Sequence, residues 1–219
     1  MVIDDNLVTL QERIHISESL YILRFTPKIF SFKTGQHLSL SLAHDSNKRV
    51  YSIASGENEN HIDILIREVE HGNLSKKFKK VPIGTVFQLS KPTGYFTLPD
   101  NIENHTIYCI ATGSGIAPFI SYTQTFPHVP FTIIHGIKNI SESFEHNISK
   151  DATYISCTSK STEGIFNGRV TEYIKKQTFN TTDLFYICGN GEMIHEVYSF
   201  LKLIGIDRNN INYEEYYNN

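Results

Sequence analysis

Ala111-Thr112-Gly113-Ser114-Gly115-Ile116-Ala117-Pro118 is the stretch whose reading decides the fold. It continues an apolar run, Thr106 to Ala111, and turns on glycines at 113 and 115. A short apolar run bounded by glycine reads as a buried strand. Proline suits the first turn of a helix, where its missing N–H leaves no bond unmade. The stretch is therefore strand, tight turn, helix. It lacks the third glycine of the common dinucleotide fingerprint. Such a turn, at the carboxyl end of a parallel strand, is where α/β folds take ligands. A tight structural connection between strand and helix is the other reading.

The same alternation runs on toward the C-terminus. Phe131 to His135, Tyr154 to Cys157 and Leu184 to Cys188 read as strands, and Arg169 to Gln177 as a helix. A further helix is expected from about Glu192 to Leu203, with Met193, Val197, Leu201 and Ile204 on one stripe. Cys188-Gly189-Asn190-Gly191-Glu192-Met193 repeats the strand–turn–helix arrangement. Alternating strands and helices predict a parallel sheet covered on both faces.

Upstream the period changes to two. Leu38, Leu40 and Leu42 alternate with Ser39 and Ser41, and Ile62, Ile64 and Ile66 repeat the pattern. Turn signals separate these segments at Lys33-Thr34-Gly35, Ser55-Gly56 and Pro82-Ile83-Gly84. Short strands so spaced predict an antiparallel barrel or sandwich. The character changes at Leu98-Pro99-Asp100-Asn101, which divides the chain into domains of residues 1–100 and 101–219.

The chain has 219 residues, 40% hydrophobic and 20% charged, a balance that suits a soluble globular protein. A net charge of -3 argues against wholesale nucleic-acid binding, although Lys76, Lys77, Lys79 and Lys80 cluster. The 3 cysteines form no Cys-x-x-Cys motif, so no metal or iron–sulfur site is expected. Unpaired thiols, no signal-like N-terminus and no apolar run of about 20 residues give a cytoplasmic expectation with no membrane span.

Two further motifs lie in the first half. In Arg49-Val50-Tyr51-Ser52, strand alternation puts Arg49 and Tyr51 on one side. The guanidinium can pair with a phosphate and the aromatic can stack on a planar ring. Alone, the motif equally fits an edge strand with a solvated arginine. Gly72-Asn73-Leu74-Ser75 precedes Lys76-Lys77-Phe78, a candidate helix whose free N–H groups and positive end suit a diphosphate. Alone, it equally fits an ordinary polar cap. Cys188, at the end of its strand, has the bland reading of a small buried hydrophobe.

In this order the four motifs resemble the ferredoxin–NADP reductase family, in its compact bacterial form. The resemblance runs over nearly the whole chain. It includes Lys33-Thr34-Gly35-Gln36, Lys91-Pro92-Thr93-Gly94-Tyr95-Phe96-Thr97-Leu98 and Gly168-Arg169-Val170. It implies a six-stranded antiparallel barrel that binds FAD, followed by an α/β domain with a parallel sheet that binds NADP(H). Arg49 is implied to hold the FAD diphosphate, with Val50 and Leu65 in the same site. Tyr51 would stack on the isoalloxazine and Ser52 would bond near flavin N5. Asn73, Leu74 and Ser75 would cap the diphosphate. Thr112 and Ser114 would lie between flavin and nicotinamide. Cys188 would face the nicotinamide, with Asn190, Gly191 and Glu192 lining that cleft.

The tail Glu214-Glu215-Tyr216-Tyr217 matches the family's ending, with Tyr where the last aromatic is often Trp, and Asn218 and Asn219 in addition. Tyr216 is implied to cover one flavin face and Tyr217 the adenine; by composition alone the tail reads as a frayed terminus. The 2′-phosphate of NADP(H) would meet Ser159, Lys160, Arg169 and Lys138. Lysine in place of arginine keeps the charge and loses the fork. The implied mechanism is hydride transfer from NADPH to FAD N5, with Ser52, Cys188 and Tyr216 as catalytic residues. Single electrons would then pass to an acidic ferredoxin or flavodoxin, steered by Lys48 and the lysines at 76–80 to a monomeric enzyme. The rivals are a flavin reductase, the electron-transfer subunit of an oxygenase, and a flavin-holding subunit that acts only by binding a partner. The Gly72 loop counts against a flavin reductase, since free FMN needs no diphosphate cap.

Overall fold

The computed structural model describes residues 6–70 and 72–216. Its first half holds β1 (Leu7–His15), β2 (Leu20–Thr26), β3 (His37–Leu42), β4 (Arg49–Ser52), β5 (Ile62–Arg67) and β6 (Val86–Leu89), with α1 (Asn73–Lys80) between the last two strands. The strands are antiparallel neighbours in the order β4-β3-β6-β1-β2-β5. A bridge between Ile53 and Ile64 joins the two ends and closes the sheet into a barrel. Between Arg49 and Ser52, β4 pairs with β3 alone.

The alternation seen in sequence fills the barrel. Leu38, Leu40, Ile62, Ile64 and Ile66 are buried with Leu10, Leu23 and Phe25. Phe78 of α1 plugs one opening, edge-on to Phe87 at 5.2 Å. β5 departs from simple alternation, because Asp63 and Leu65 are buried too. Its outer face is also covered. Asp63 takes both forks of the Arg24 guanidinium at 2.9 and 2.8 Å, which offsets the cost of burying its charge. Leu65 packs into a core shared with the second half.

The second half holds β7 (Ile107–Thr112), α2 (Ala117–Thr125), β8 (Thr132–Ile137), β9 (Thr153–Thr158), β10 (Phe166–Asn167), α3 (Val170–Ile174), β11 (Leu184–Gly189), α4 (Gly191–Leu203) and β12 (Ile211–Glu215). Its strands form a parallel sheet in the order β10-β9-β8-β7-β11-β12. α3 and α4 cover one face around Ile110, Ile134, Phe185 and Ile187. α3 is shorter than the helix expected over 169–177. Its end tightens into turns, Lys176 N–H to Tyr173 and Gln177 N–H to Ile174. Phe179 then folds edge-on between Tyr108 and Phe185, which draws the chain back to the sheet. β12, part of which the sequence presents as a polar tail, pairs along the whole of β11. No helix among the described residues is long and apolar enough to cross a membrane.

α2 lies between the barrel and the other face of the sheet. Residues 117–123 are all buried. Ile116, Phe119 and Ile120 pack with Leu20, Ile22, Ala54 and Leu65 of the barrel, and a fully buried side chain of this size contributes about 1.5–3 kcal/mol. Its polar groups are spent on the barrel backbone. Ser121 Oγ accepts from Thr34 and donates to the Ser55 carbonyl, Gln124 Oε1 accepts from Gly56 N–H, and Thr125 Oγ1 from Glu57 N–H. Gly35, at φ +88°, turns the chain beneath Phe96, where an added Cβ would stand 1.8 Å from the Phe96 carbonyl oxygen. Gly35→Ala is expected to cost more than the ~1–3 kcal/mol of ordinary overpacking, since both the left-handed backbone and the contact oppose it. Urea unfolding of the two proteins measures this, and equal midpoints would contradict it.

Candidate functional site

The two glycine turns lie side by side at the carboxyl ends of β7 and β11. They interlock. A Cβ at Gly115 would stand 2.4 Å from the Cys188 carbonyl oxygen, and one at Gly189, φ +133°, 2.4 Å from Thr112 Oγ1. Asn190 N–H donates to Thr112 Oγ1 at 3.0 Å. The side chain of Asn190 caps α4, its Oδ1 accepting from the N–H groups of Glu192 and Met193. These glycines thus let two turns meet each other. A Cβ on Gly191 would meet the Glu215 carboxylate.

A cavity of about 510 Å³ opens between these turns, the end of β8 and the start of α3. Thr112, Ser114, Lys138, Ser159, Arg169, Asn190, Glu192 and Tyr216, all expected from sequence, lie on its wall. Lys160 is exposed and off the wall. Lys138 and Arg169 are exposed cations with no ion pair among the described residues. Arg67 reaches in from the barrel and pairs with Glu142 at 2.5 Å. Neither of these two was expected, because 75 residues separate them and no local pattern marks either.

A second cluster adjoins the cavity where the two halves meet. Ser52 lies opposite His37 in the β3–β4 ladder, so their side chains share a face. Ser52 Oγ donates to Glu214 Oε1 at 2.7 Å and accepts from the Tyr216 hydroxyl at 2.7 Å. His37 Nδ1 lies 3.3 Å from Glu214 Oε2. Cys188 is fully buried beside Tyr216 and off the cavity wall. Burial, and then the Glu214 charge, push its thiol up, so it is neutral at neutral pH. Burial likewise pushes up the Tyr216 hydroxyl. Tyr217 lies outside the described residues.

The barrel side carries groups that fit a dinucleotide with a diphosphate. Arg49 is exposed, and its guanidinium bonds only the Lys48 carbonyl, at 3.3 Å. Val50 is 62% exposed beside it. Tyr51 rests half-buried on the barrel core, which raises its hydroxyl to about 12. α1 starts at Gly72 with no side-chain cap and no acid in its first turn, and its last turn holds Lys77, Lys79 and Lys80. Its positive end is therefore open to a phosphate. Asn73 is exposed there and Leu74 leans on the barrel. Ser75 is committed to the loop: its Oγ accepts from Val69 N–H and its carbonyl from the Tyr21 hydroxyl. Gly72 too serves the loop, since a Cβ would meet Val69 and Ser75 at 3.1 and 3.2 Å. Lys77 and Lys79 pair with Asp45 and Glu68, which trims the field of the lysine cluster. Leu65 belongs to the shared core.

His135 supports the first glycine turn from below. Its Nε2 bonds the Gly113 carbonyl at 2.8 Å and its Nδ1 the Tyr154 hydroxyl at 2.8 Å. A carbonyl only accepts, so Nε2 carries the proton. Burial lowers the ring to about 4, against the Gly113 bond and with help from the Arg67 charge. An imidazole kept neutral when folded and at its ordinary 6.5 when unfolded stabilises fully above pH 6.5. As pH falls from 6.5 toward 4 the unfolded chain binds the extra proton, and stability falls by up to about 1.4 kcal/mol per pH unit. Denaturant unfolding at pH 5, 6 and 7 is expected to show this slope, and His135→Phe to flatten it. An unchanged slope in that variant would assign the pH dependence elsewhere.

Residues 7–98 match the family model described as the oxidoreductase FAD-binding domain. The chain is 29% identical over 147 residues to the ferredoxin–NADP reductase of Azotobacter vinelandii, covering 59% of this chain and 57% of that one. It is 25% identical over 219 residues to the reductase component of propane 2-monooxygenase from Mycolicibacterium smegmatis, covering 90% of this chain and 63% of that one. Each match thus spans less than two thirds of the curated relative's length. In fold, it superposes on a ferredoxin NADP⁺ reductase from Neisseria gonorrhoeae, solved with bound FAD and NADP, with a TM-score of 0.83 at 22% identity over 95% of this chain and 97% of that one. The uncapped helix start, the unpaired Arg49 and the match over the barrel agree: the chain carries an oxidoreductase FAD-binding domain and belongs to the ferredoxin–NADP reductase family.

Proposed function

We propose that this chain is an NADPH-dependent FAD oxidoreductase that exchanges electrons with a one-electron carrier, a ferredoxin or a flavodoxin. The observation that carries the reading is the Ser52–Glu214–Tyr216 cluster, held where barrel and sheet meet, beside a cavity bearing unpaired Lys138 and Arg169. FAD, when bound, supplies a centre that takes two electrons together and gives them up singly. Residues 1–100 hold it and residues 101–219 hold the dinucleotide. Arg49 and the start of α1 neutralise its diphosphate. Arg49 and Tyr51 share the face of Leu40 and Leu38, whereas Ser52 shares the opposite face with His37. A planar ring laid along the free edge of β4 touches Tyr51 on one side and Ser52 on the other.

Tyr216 guards the approach. It lies on the cavity wall in front of Cys188, so a nicotinamide entering from the cavity meets the tyrosine first. Displacing it breaks its bond to Ser52 and frees that hydroxyl. Lys138, Ser159 and Arg169 receive the 2′-phosphate, with Lys160 adding charge from outside the wall. An acidic carrier is drawn by Lys48 and Lys80, whose charges no carboxylate among the described residues offsets. A reductase component of an oxygenase is the second reading, favoured by the match to the propane 2-monooxygenase component over 90% of the chain.

Purified protein mixed with NADPH alone tests the reading, since bleaching of bound FAD requires both halves of the site. Cytochrome c reduction with added ferredoxin, flavodoxin or oxygenase then separates the two carriers' readings. NADPH is expected to exceed NADH in efficiency. The Lys138→Ala, Arg169→Ala double variant is expected to lose about tenfold or more of that ratio, as a charge-assisted bond of about 1.5–3 kcal/mol requires. An unchanged ratio would remove these two from the phosphate site. Tyr216→Ser is expected to bind NADP⁺ more tightly, by the stacking of about 0.5–1.5 kcal/mol that no longer competes. Turnover falls if release becomes slow. Difference-spectrum titration measures the affinity, and an unaltered Kd and flavin spectrum would displace Tyr216 from the flavin.

A further inference from the structure

Three side chains from three strands form one line of hydrogen bonds that ends in solvent. Ser52 Oγ bonds Glu214 Oε1 at 2.7 Å, and Glu214 Oε2 faces His37 Nδ1 at 3.3 Å. Exposure rises along the line: Ser52 is 2% exposed, the Glu214 side chain 20% and the His37 side chain 31%. Strand pairing fixes the geometry. His37 and Ser52 are direct partners across β3 and β4, and Glu214 reaches them from β12 of the other sheet. His37 is held further by backbone bonds in both directions with Thr93. Gly94, at φ +113°, keeps the ring's flank clear, because a Cβ there would stand 2.9 Å from Nδ1. No second carboxylate and no cation pairs with His37 among the described residues.

A fastener between the halves would need only hydrogen bonds. This line instead ends in the one side chain suited to take up and release protons across the neutral range. We propose that His37 is the solvent-side end of a proton path that reaches Ser52 through Glu214. The inference rests on the proposed function, in which the Ser52 hydroxyl faces the flavin. Inward, the protonated ring gives its Nδ1 proton to Glu214. The carboxyl turns that proton to Ser52 Oγ as Ser52 hands its own hydroxyl proton to the site, and the ring refills from water. Every group on the path ends with the protons it began with. One proton has moved inward, and the electrons arrive separately from the reductant.

The test uses FAD-loaded protein and saturating dithionite, with no dinucleotide and no carrier, and follows the rate and solvent deuterium effect of flavin bleaching. His37→Gln keeps a hydrogen bond to Glu214 and cannot relay. His37→Ala leaves room for free imidazole. Both are expected to bleach more slowly by about tenfold or more, a modest share of what positioned acid–base groups contribute. Imidazole should speed the alanine variant in proportion to its concentration, which a lost fastener would not allow. A wild-type rate in His37→Gln, or an alanine variant indifferent to imidazole, overturns the path. Bleaching of the wild type by NADPH is scored separately, so failure of the proposed function is distinguishable from failure of the path.

Discussion

The burial of α2 between barrel and sheet is the constraint on which the rest depends. Seven consecutive residues of one short helix are out of solvent, and the apolar side chains around them come from both halves. The helix leaves few polar groups to water; Ser121, Gln124 and Thr125 hold barrel backbone groups instead. Such satisfied polar contacts add little net energy each, yet an unmatched partner would cost about 1–3 kcal/mol. They therefore set the rotation of the barrel on the sheet. That rotation carries β4 toward β12, and without it Ser52 and Glu214, 162 residues apart, would not touch.

Much of this architecture is legible in the amino acids, for reasons that differ by element. Leu38, Leu40, Ile62, Ile64 and Ile66 reveal their strands because one face of a barrel must be apolar. The strand–turn–helix reading of 111–118 holds because Gly113 and Pro118 are local signals. α3 is overestimated, because Phe179 ends it through packing against Tyr108 and Phe185, a contact that no helical periodicity announces. β12 is hidden by its composition, Asn-Tyr-Glu-Glu, which reads as tail until β11 supplies its hydrogen bonds.

The site divides in the same way. Arg49, Ser52, Thr112, Arg169 and Asn190 belong to short motifs, and the family resemblance carries them to the cleft. The glycines have a more structural part than motif reading gives them, since Gly115 and Gly189 are fitted to Cys188 and Thr112 of the neighbouring turns. His37, Arg67, Glu142 and His135 stand in no motif. Each acts through a partner brought near by the packing of elements distant in sequence, so only the assembled sheet order discloses them.

The unpartnered edge of β4 bears on how the protein survives alone. A strand with one side open is a template on which another chain can add itself, and extended self-pairing of that kind ends in fibrils. Lys48 and Arg49 stand at the entrance to this edge, both exposed. Two copies approaching edge to edge would bring like charges together. The arginine that reads as a ligand group thus also keeps newly made, still empty chains apart.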